Sequence, residues 1–118
     1  MILDGKSFSG KNLEKRIGKE KLAIFLLWMI SRKPQHGYEI IKTLEEDHSI
    51  LRLPASRIYP ILKGLEKKGL ITHKKTMQGK RARKIYGITP KGRKVLAKAK
   101  EHFKKSRLMT EYAEDLLK

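Results

Sequence analysis

The chain has no cysteine, one tryptophan, one asparagine, two glutamines and few acids, 12 Asp and Glu among 118 residues. Without cysteine there are no disulfides, thiolate metal sites or Cys nucleophiles. No stretch approaches the roughly 20 apolar residues of a membrane span; the longest strong apolar run is Leu22 to Ile30. The N-terminal Met-Ile-Leu-Asp-Gly-Lys lacks the basic-then-apolar plan of a signal peptide. A cytoplasmic, nucleoid-associated protein is expected, with no membrane partner. The scarcity of Asn and Gln beside abundant Lys also hints at a thermophilic source. What is abundant is positive charge: 29 Lys and Arg give a net +17. A chain this small makes one domain with a modest core, and its expected partner is a polyanion.

The charge is unevenly placed. Residues 63–107 hold 17 Lys/Arg against Glu66 and Glu101, a net +15, and the other 73 residues net only +2. A solvated face usually mixes both signs, and this region also carries Leu, Ile, Tyr and Val at regular spacing. It therefore reads as a folded polyanion-binding surface.

Residues 1–11 read as a loose arm and 12–19 as a short helix. Lys21 to Arg32 is a helix, with Leu22, Phe25, Leu26, Met29 and Ile30 on one face and Ala23, Ile24, Leu27 and Trp28 on the other. A helix apolar all round is buried on two sides, and a second subunit is the simplest second cover. Pro34 ends it. Gly37 to Asp47 is a second helix with Ile40, Ile41 and Leu44 inward, followed by a loop over His48 to Leu53. Pro54 opens a third helix that runs to Lys68 and stops at Gly69. Its core face is Ile58, Ile61, Leu62 and Leu65. Ser56, Pro60, Lys63 and Lys67 lie opposite, with Arg57 and Tyr59 on the flanks.

Leu70–Met77 and Ala82–Ile88 are expected to be strands joined by a turn at 78–81. This hairpin carries Lys74, Lys75, Lys80, Arg81, Arg83 and Lys84. Thr89-Pro90 starts a last helix in which nothing after Gly92 signals a break. Its thirty residues would span about 45 Å, longer than the domain it leaves. Leu96, Phe103, Met109, Tyr112 and Leu116, with Leu22, Phe25 and Trp28 of the first helix, are the candidate dimer interface.

Three helices and a two-stranded hairpin are the order of a winged helix-turn-helix. The expected fold is thus mainly α with a β-hairpin wing (α+β), divided as N-terminal arm and short helix 1–19, winged helix 20–89 and dimerisation helix 90–118. The third helix would enter a major groove and the wing would follow the flanking backbone. The candidate DNA-binding residues are Tyr38, Ser56, Arg57, Tyr59, Lys63, Lys67, Lys74, Lys75, Lys80, Arg81, Arg83 and Lys84. No nucleophile–base set, phosphate loop or paired carboxylates appear. His36, His48, His73 and His102 lie too far apart in sequence to suggest a metal site. No catalysis, cofactor or metal is expected.

From Leu22 to about Leu96 the sequence resembles the PadR-like transcriptional regulators. The resemblance rests on Pro34-Gln-His-Gly-Tyr-Glu-Ile40, on Ile58-Tyr-Pro-Ile-Leu-Lys-Gly-Leu-Glu-Lys-Lys-Gly-Leu-Ile71 and on Tyr86-Gly-Ile-Thr-Pro-Lys-Gly92. In length the chain is similar to the short branch, with a single helix after the wing. The resemblance implies a homodimeric repressor on an inverted repeat of double-stranded DNA, its last helix paired with the partner's N-terminal helices. Arg57 stands where the family usually has a small residue, and Gly87 where a bulky one is common. Some short members bind flat aromatic compounds with a Trp on the last helix. Here Trp28 is on the first, so that chemistry does not carry over, and a small-molecule effector stays an open question. Two other readings also stay open: a non-specific nucleic-acid-binding protein, and a winged helix that binds protein.

Overall fold

The computed structural model describes residues 10–47 and 54–118. The arm at 1–9 and the loop at 48–53, with His48, lie outside the described residues. Five helices and three strands follow in the order α1 (Gly10–Arg32), β1 (Gln35–His36), α2 (Gly37–Glu46), α3 (Ala55–Lys67), β2 (Ile71–Gln78), β3 (Arg81–Ile88), α4 (Pro90–Lys105) and α5 (Arg107–Leu116).

The separate short helix expected over 12–19 does not exist. Gly10 to Arg32 is one continuous helix of 23 residues, with the last two residues of the expected arm as its first turn. Gly18 costs such a helix about 1 kcal/mol, which is not enough to break it. Leu22, Leu26, Leu27, Met29 and Ile30 are buried within the chain. Of the second apolar face only Trp28 is exposed, with Ala23 and Ile24 half-buried. Leu27, assigned to that outer face, is fully buried in the core. Leu22, assigned to a dimer interface, is also a core residue with little surface left for a partner. Just past the end of the helix, the buried Gln35 amide donates to the Met29 carbonyl at 2.7 Å.

α1 packs under α3, α4 and β3. The inward residues of α2 (Ile40, Ile41, Leu44) and of α3 (Ile58, Ile61, Leu62, Leu65) are those expected from their 3.6-residue period. Eight side chains, among them Leu26, Ile40, Ile58 and Leu62, are essentially inaccessible. Each contributes about 1.5–3 kcal/mol by leaving water.

Pro54 caps α3 from outside, in extended backbone, and the helix starts one residue later than expected. Pro60 lies inside it and cannot donate to the carbonyl of Ser56. At its end Gly69 takes φ +76°. Leu70 N–H then bonds Leu65 O, and Gly69 N–H bonds Glu66 O, each at 2.9 Å. With Leu65 and Leu70 both buried, this is the Schellman ending that glycine favours.

The hairpin is longer than expected by one residue on each side of its turn. Gln78 pairs with Arg81, so the loop shrinks to Gly79 and Lys80, with Gly79 at φ +62°. β1 was not foreseen. It pairs antiparallel with β3, Gln35 opposite Tyr86 and His36 opposite Ile85, giving the sheet order β1-β3-β2.

Thr89 joins the wing to α4. Its N–H bonds Leu70 O at 3.1 Å. Its hydroxyl donates to Gly69 O at 2.6 Å and accepts from Gly92 N–H at 3.0 Å. A Cβ on Gly92 would lie 2.1 Å from Leu70 O, so only glycine fits.

The expected unbroken last helix is two helices. Ser106 adopts extended backbone (φ −84°, ψ 106°) and its hydroxyl accepts from Met109 N–H at 3.2 Å. A serine cap here ends α4 and starts α5. α5 has no buried residue. Among the described residues, no helix is long and apolar enough to cross a membrane.

Candidate nucleic-acid interface

α3 presents Ser56, Arg57, Pro60, Lys63 and Lys67 to solvent, all exposed. Ser56, Pro60, Lys63 and Lys67 recur at i, i+4, i+7 and i+11, about three turns along one face, with Arg57 on its flank. The opposite face is fixed in the core, so nothing within the chain competes for these side chains.

A groove of about 480 Å³ opens beside the N-terminal half of α3. It is lined by His36, Gly37, Tyr38, Tyr59, Arg81, Ala82, Arg83, Lys84 and Tyr86. Its origin is topological. β1 covers the edge of β3 only at Ile85 and Tyr86, so the edge from Arg81 to Lys84 stays open toward the starts of α2 and α3. Residues of both sheet faces therefore reach one groove. Tyr38 is 59% exposed and Tyr59 is 49% exposed, and the Arg83 guanidinium sits 5.5 Å from the centre of the Tyr38 ring. Two exposed phenol hydroxyls and three cations thus border the groove, a donor set suited to phosphate oxygens.

Gly37-Tyr-Glu-Ile40 acquires a role at each position. A Cβ on Gly37 would stand 3.3 Å from Tyr86 and 3.5 Å from Tyr59, so glycine lets the wing base and α3 close together. Tyr38 faces the groove. Glu39 Oε1 accepts from His36 N–H at 3.1 Å, half of a capping box. Ile40 enters the core. The His36 Nδ1 is buried without a partner, while its Nε2 lies 3.6 Å from Glu39 Oε1. That arrangement suits the tautomer protonated at Nε2, which leaves no unpaired buried N–H. Burial pushes the Tyr86 phenol above its ordinary pKa, with the Glu66 carboxylate and Tyr59 adding to the effect.

Of the twelve expected DNA contacts, Tyr38, Tyr59, Arg81, Arg83 and Lys84 meet in the groove. Ser56, Arg57, Lys63 and Lys67 follow α3. Lys80 is in the turn. Lys74 and Lys75 are on β2, on the far side of β3 from the groove, and do not line it. Lys75 stands opposite Lys84 and Lys74 opposite Ile85. Like charges directly opposite repel, a cost that a bound polyanion would remove. His36, expected to contact phosphate or assist the N-terminus of the second helix, is the N-cap of α2 and lines the groove; sequence reading missed Tyr86 in the groove wall, and the 2.5 Å contact between Glu66 and His73. No local signal marks them, because each depends on β1 or β2 folding back onto another element.

The expected dimer residues divide in the same way. Trp28, Phe103, Met109, Tyr112 and Leu116 are exposed. Phe25 and Leu96 are partly buried against the core. Phe25 stacks on Trp28 at 5.6 Å between ring centres, and Arg32 lies 5.1 Å from the Trp28 ring centre. Among the described residues no three His, Asp or Glu gather as a metal site would require.

Three helices, a third helix with an open polar face and a hairpin flanking its start define a winged helix-turn-helix. The chain belongs to the PadR-like family of transcriptional regulators, whose model matches residues 26–98. Among solved structures it is similar to a PadR-like transcription factor from Bacteroides fragilis (22% identity, TM-score 0.73, 89% of this chain and 98% of that one). It is also similar to a PadR-like transcriptional regulator from Bacillus cereus (27%, 0.67, 87% and 97%). A third is Bacillus subtilis PadR in complex with operator DNA (30%, 0.61, 65% and 45%). No curated protein sequence matches the chain.

Proposed function

We propose that the chain is a homodimeric repressor that binds an inverted repeat in double-stranded DNA. α3 enters the major groove through Ser56, Arg57, Lys63 and Lys67, and the wing (74–84) follows the flanking backbone. The observation that carries this reading is the groove uniting Tyr38, Tyr59, Arg81, Arg83 and Lys84 beside the start of α3. The complex of Bacillus subtilis PadR with operator DNA supports it. Arg57 is suited to a guanine edge through its two-pronged donor set, while the wing cations are suited to phosphates.

Dimerisation uses 90–118. α5 turns Leu108, Met109, Tyr112 and Leu116 to one side, and all four are exposed in the single chain. With Phe103 and Trp28 they supply the apolar area that a second copy would cover. Two copies related by a twofold axis present their α3 helices to successive major grooves, about 34 Å or 10 base pairs apart.

A footprint on the DNA upstream of the chain's own coding region tests the reading, followed by binding to that segment and to random duplex over a salt series. A specificity ratio of about 10³ or more at physiological salt is expected. Equal affinity for both would instead favour non-specific nucleic-acid binding, the reading that the +17 charge keeps in play.

A further inference from the structure

The groove accounts for the front of the wing but leaves a second tie at its back. His73, the third residue of β2, donates through Nδ1 to Glu66 Oε2 on the last turn of α3 at 2.5 Å. Both side chains are about two-thirds or more buried, 26% and 33% exposed. His73 is also opposite Tyr86 in the β2–β3 register, and the two rings meet edge to face at 6.1 Å. Tyr86 in turn packs where Gly37 makes room for it, next to Tyr59. Tyr59 and Glu66 are seven residues apart and so share one side of α3. The wing base is therefore held against that helix at two points about two turns apart, by Tyr86 near Tyr59 and by His73 on Glu66.

The leverage is large. A strand of eight residues extends about 25 Å. A tilt of about 10° at its base moves the tip by about 4 Å, the whole reach of an ion pair. The chain passes from α3 to β2 through the short turn at 68–70, and the Glu66–His73 bond ties the two elements across that turn, where it resists such a tilt.

We propose that Glu66 and His73 are positioning residues for DNA binding: their bond sets the angle of the wing against α3, so that the wing cations and the exposed face of α3 meet the same duplex. The proposal rests on the DNA-binding reading above. Neither residue is asked to touch DNA.

The test uses the full chain and a roughly 30-base-pair duplex, three helical turns, from the DNA upstream of its coding region. The slope of log Kobs against log salt is measured for the parent, Glu66→Ala, Glu66→Gln and His73→Thr. Removing an acid should strengthen binding if only charge mattered. Positioning predicts the reverse: in Glu66→Ala the slope flattens by about 2, two wing phosphates at about 0.9 each, and affinity falls roughly tenfold. His73→Thr behaves alike, and it supplies the same readout if Glu66→Ala does not fold. Glu66→Gln, whose amide oxygen still accepts from His73, keeps the parent slope. In a chain with Lys80, Arg81, Arg83 and Lys84 changed to Gln, Glu66→Ala has no further effect. A parent-like or steeper slope in Glu66→Ala and His73→Thr, or an undiminished loss in the wing-neutral chain, overturns the proposal. A parent that binds no duplex overturns the DNA reading itself, and this proposal with it.

Discussion

Gly92→Ala concentrates its effect on the joint between wing and α4. The new Cβ would start 2.1 Å from Leu70 O and 2.8 Å from the Ile88 side chain, whereas real Cβ contacts stay beyond 3.0 Å. Something must move by about 0.9 Å, the difference between those two limits. Leu70 O cannot retreat freely, because it accepts Thr89 N–H at 3.1 Å while Leu70 N–H is committed to Leu65 O at 2.9 Å. The other relief is to withdraw Gly92, which strains its N–H bond to the Thr89 hydroxyl. Overpacking of this kind costs about 1–3 kcal/mol, and a weakened cap adds about 1 kcal/mol. Against this stands the ordinary gain of replacing a helical glycine by alanine, at most about 1 kcal/mol. The net loss is about 1–3 kcal/mol. At about 4 °C per kcal/mol for a domain of this size, Tm falls by about 4–12 °C. The assay is thermal denaturation by circular dichroism at one fixed protein concentration, since association shifts Tm. Gly64→Ala is the control. Its Cβ meets nothing within 4 Å on α3, and it should stabilise by about 0.4–1 kcal/mol. A Gly92→Ala chain that melts at or above the parent temperature would refute the steric reasoning.

Neutralising Lys80, Arg81, Arg83 and Lys84 together should flatten the salt dependence of duplex binding by about 0.9 for each cation that neutralises a phosphate; an unchanged slope removes the wing from the interface. Ending the chain after Lys105 deletes α5 with its exposed apolar side, and sedimentation should then show monomers or insoluble protein, whereas a stable dimer would contradict the role given to α5. Gln35→Leu leaves the Met29 carbonyl without its buried donor and should cost about 1–3 kcal/mol in urea denaturation. For Tyr86 the raised folded-state pKa means that its neutral form is favoured by folding. That contribution is fully present below the unfolded value near 10 and is lost as pH rises through the folded value, so Tyr86→Phe should lessen the alkaline fall in stability; the same alkaline profile in both proteins would rule this out.

How legible the chain was depends on how local each cause is. The inward residues of α2 and α3 follow from a repeat visible within one helix, and Gly69 follows from a stop signal within one turn. The hairpin is equally local, needing two alternating segments and a glycine. β1 was invisible because two residues cannot display alternation, and Gln35 and His36 become a strand only when β3 arrives beside them. The break at Ser106 was available in principle, since serine is a favoured cap. It was hidden because Leu96, Phe103 and Met109 suggest one apolar seam across it, and a single cap competes poorly with a pattern when reading by period. The all-apolar first helix misled for a different reason. The small core formed with α3, α4 and β3 already buries Leu22 and Leu27, so neither needs a second subunit. In the site, the α3 face was readable from periodicity. The groove was not, because Tyr38, Tyr59 and Arg83 converge only through the edge of β3 that β1 leaves open.

The segments that make the chain recognisable do more to set the frame than to touch a ligand. Gly37 admits Tyr86 beside Tyr59, Glu39 caps the start of α2, Gly69 reverses the chain after α3, and Thr89 with Gly92 binds α4 to that reversal. Each makes contacts inside the chain that another residue type would spoil. Arg57, Lys63 and Lys67 make no such demand. Their side chains stand in solvent, and many residues would leave the fold unchanged there. In a winged helix this division has a functional consequence. Rigid joints hold the wing and α3 at one spacing, which any duplex can meet through its phosphates. On the DNA-binding reading proposed above, discrimination falls to the few free positions on α3. With net +15 between residues 63 and 107 attracting all DNA, that reading assigns selectivity to what Ser56 and Arg57 reject rather than to what the wing attracts.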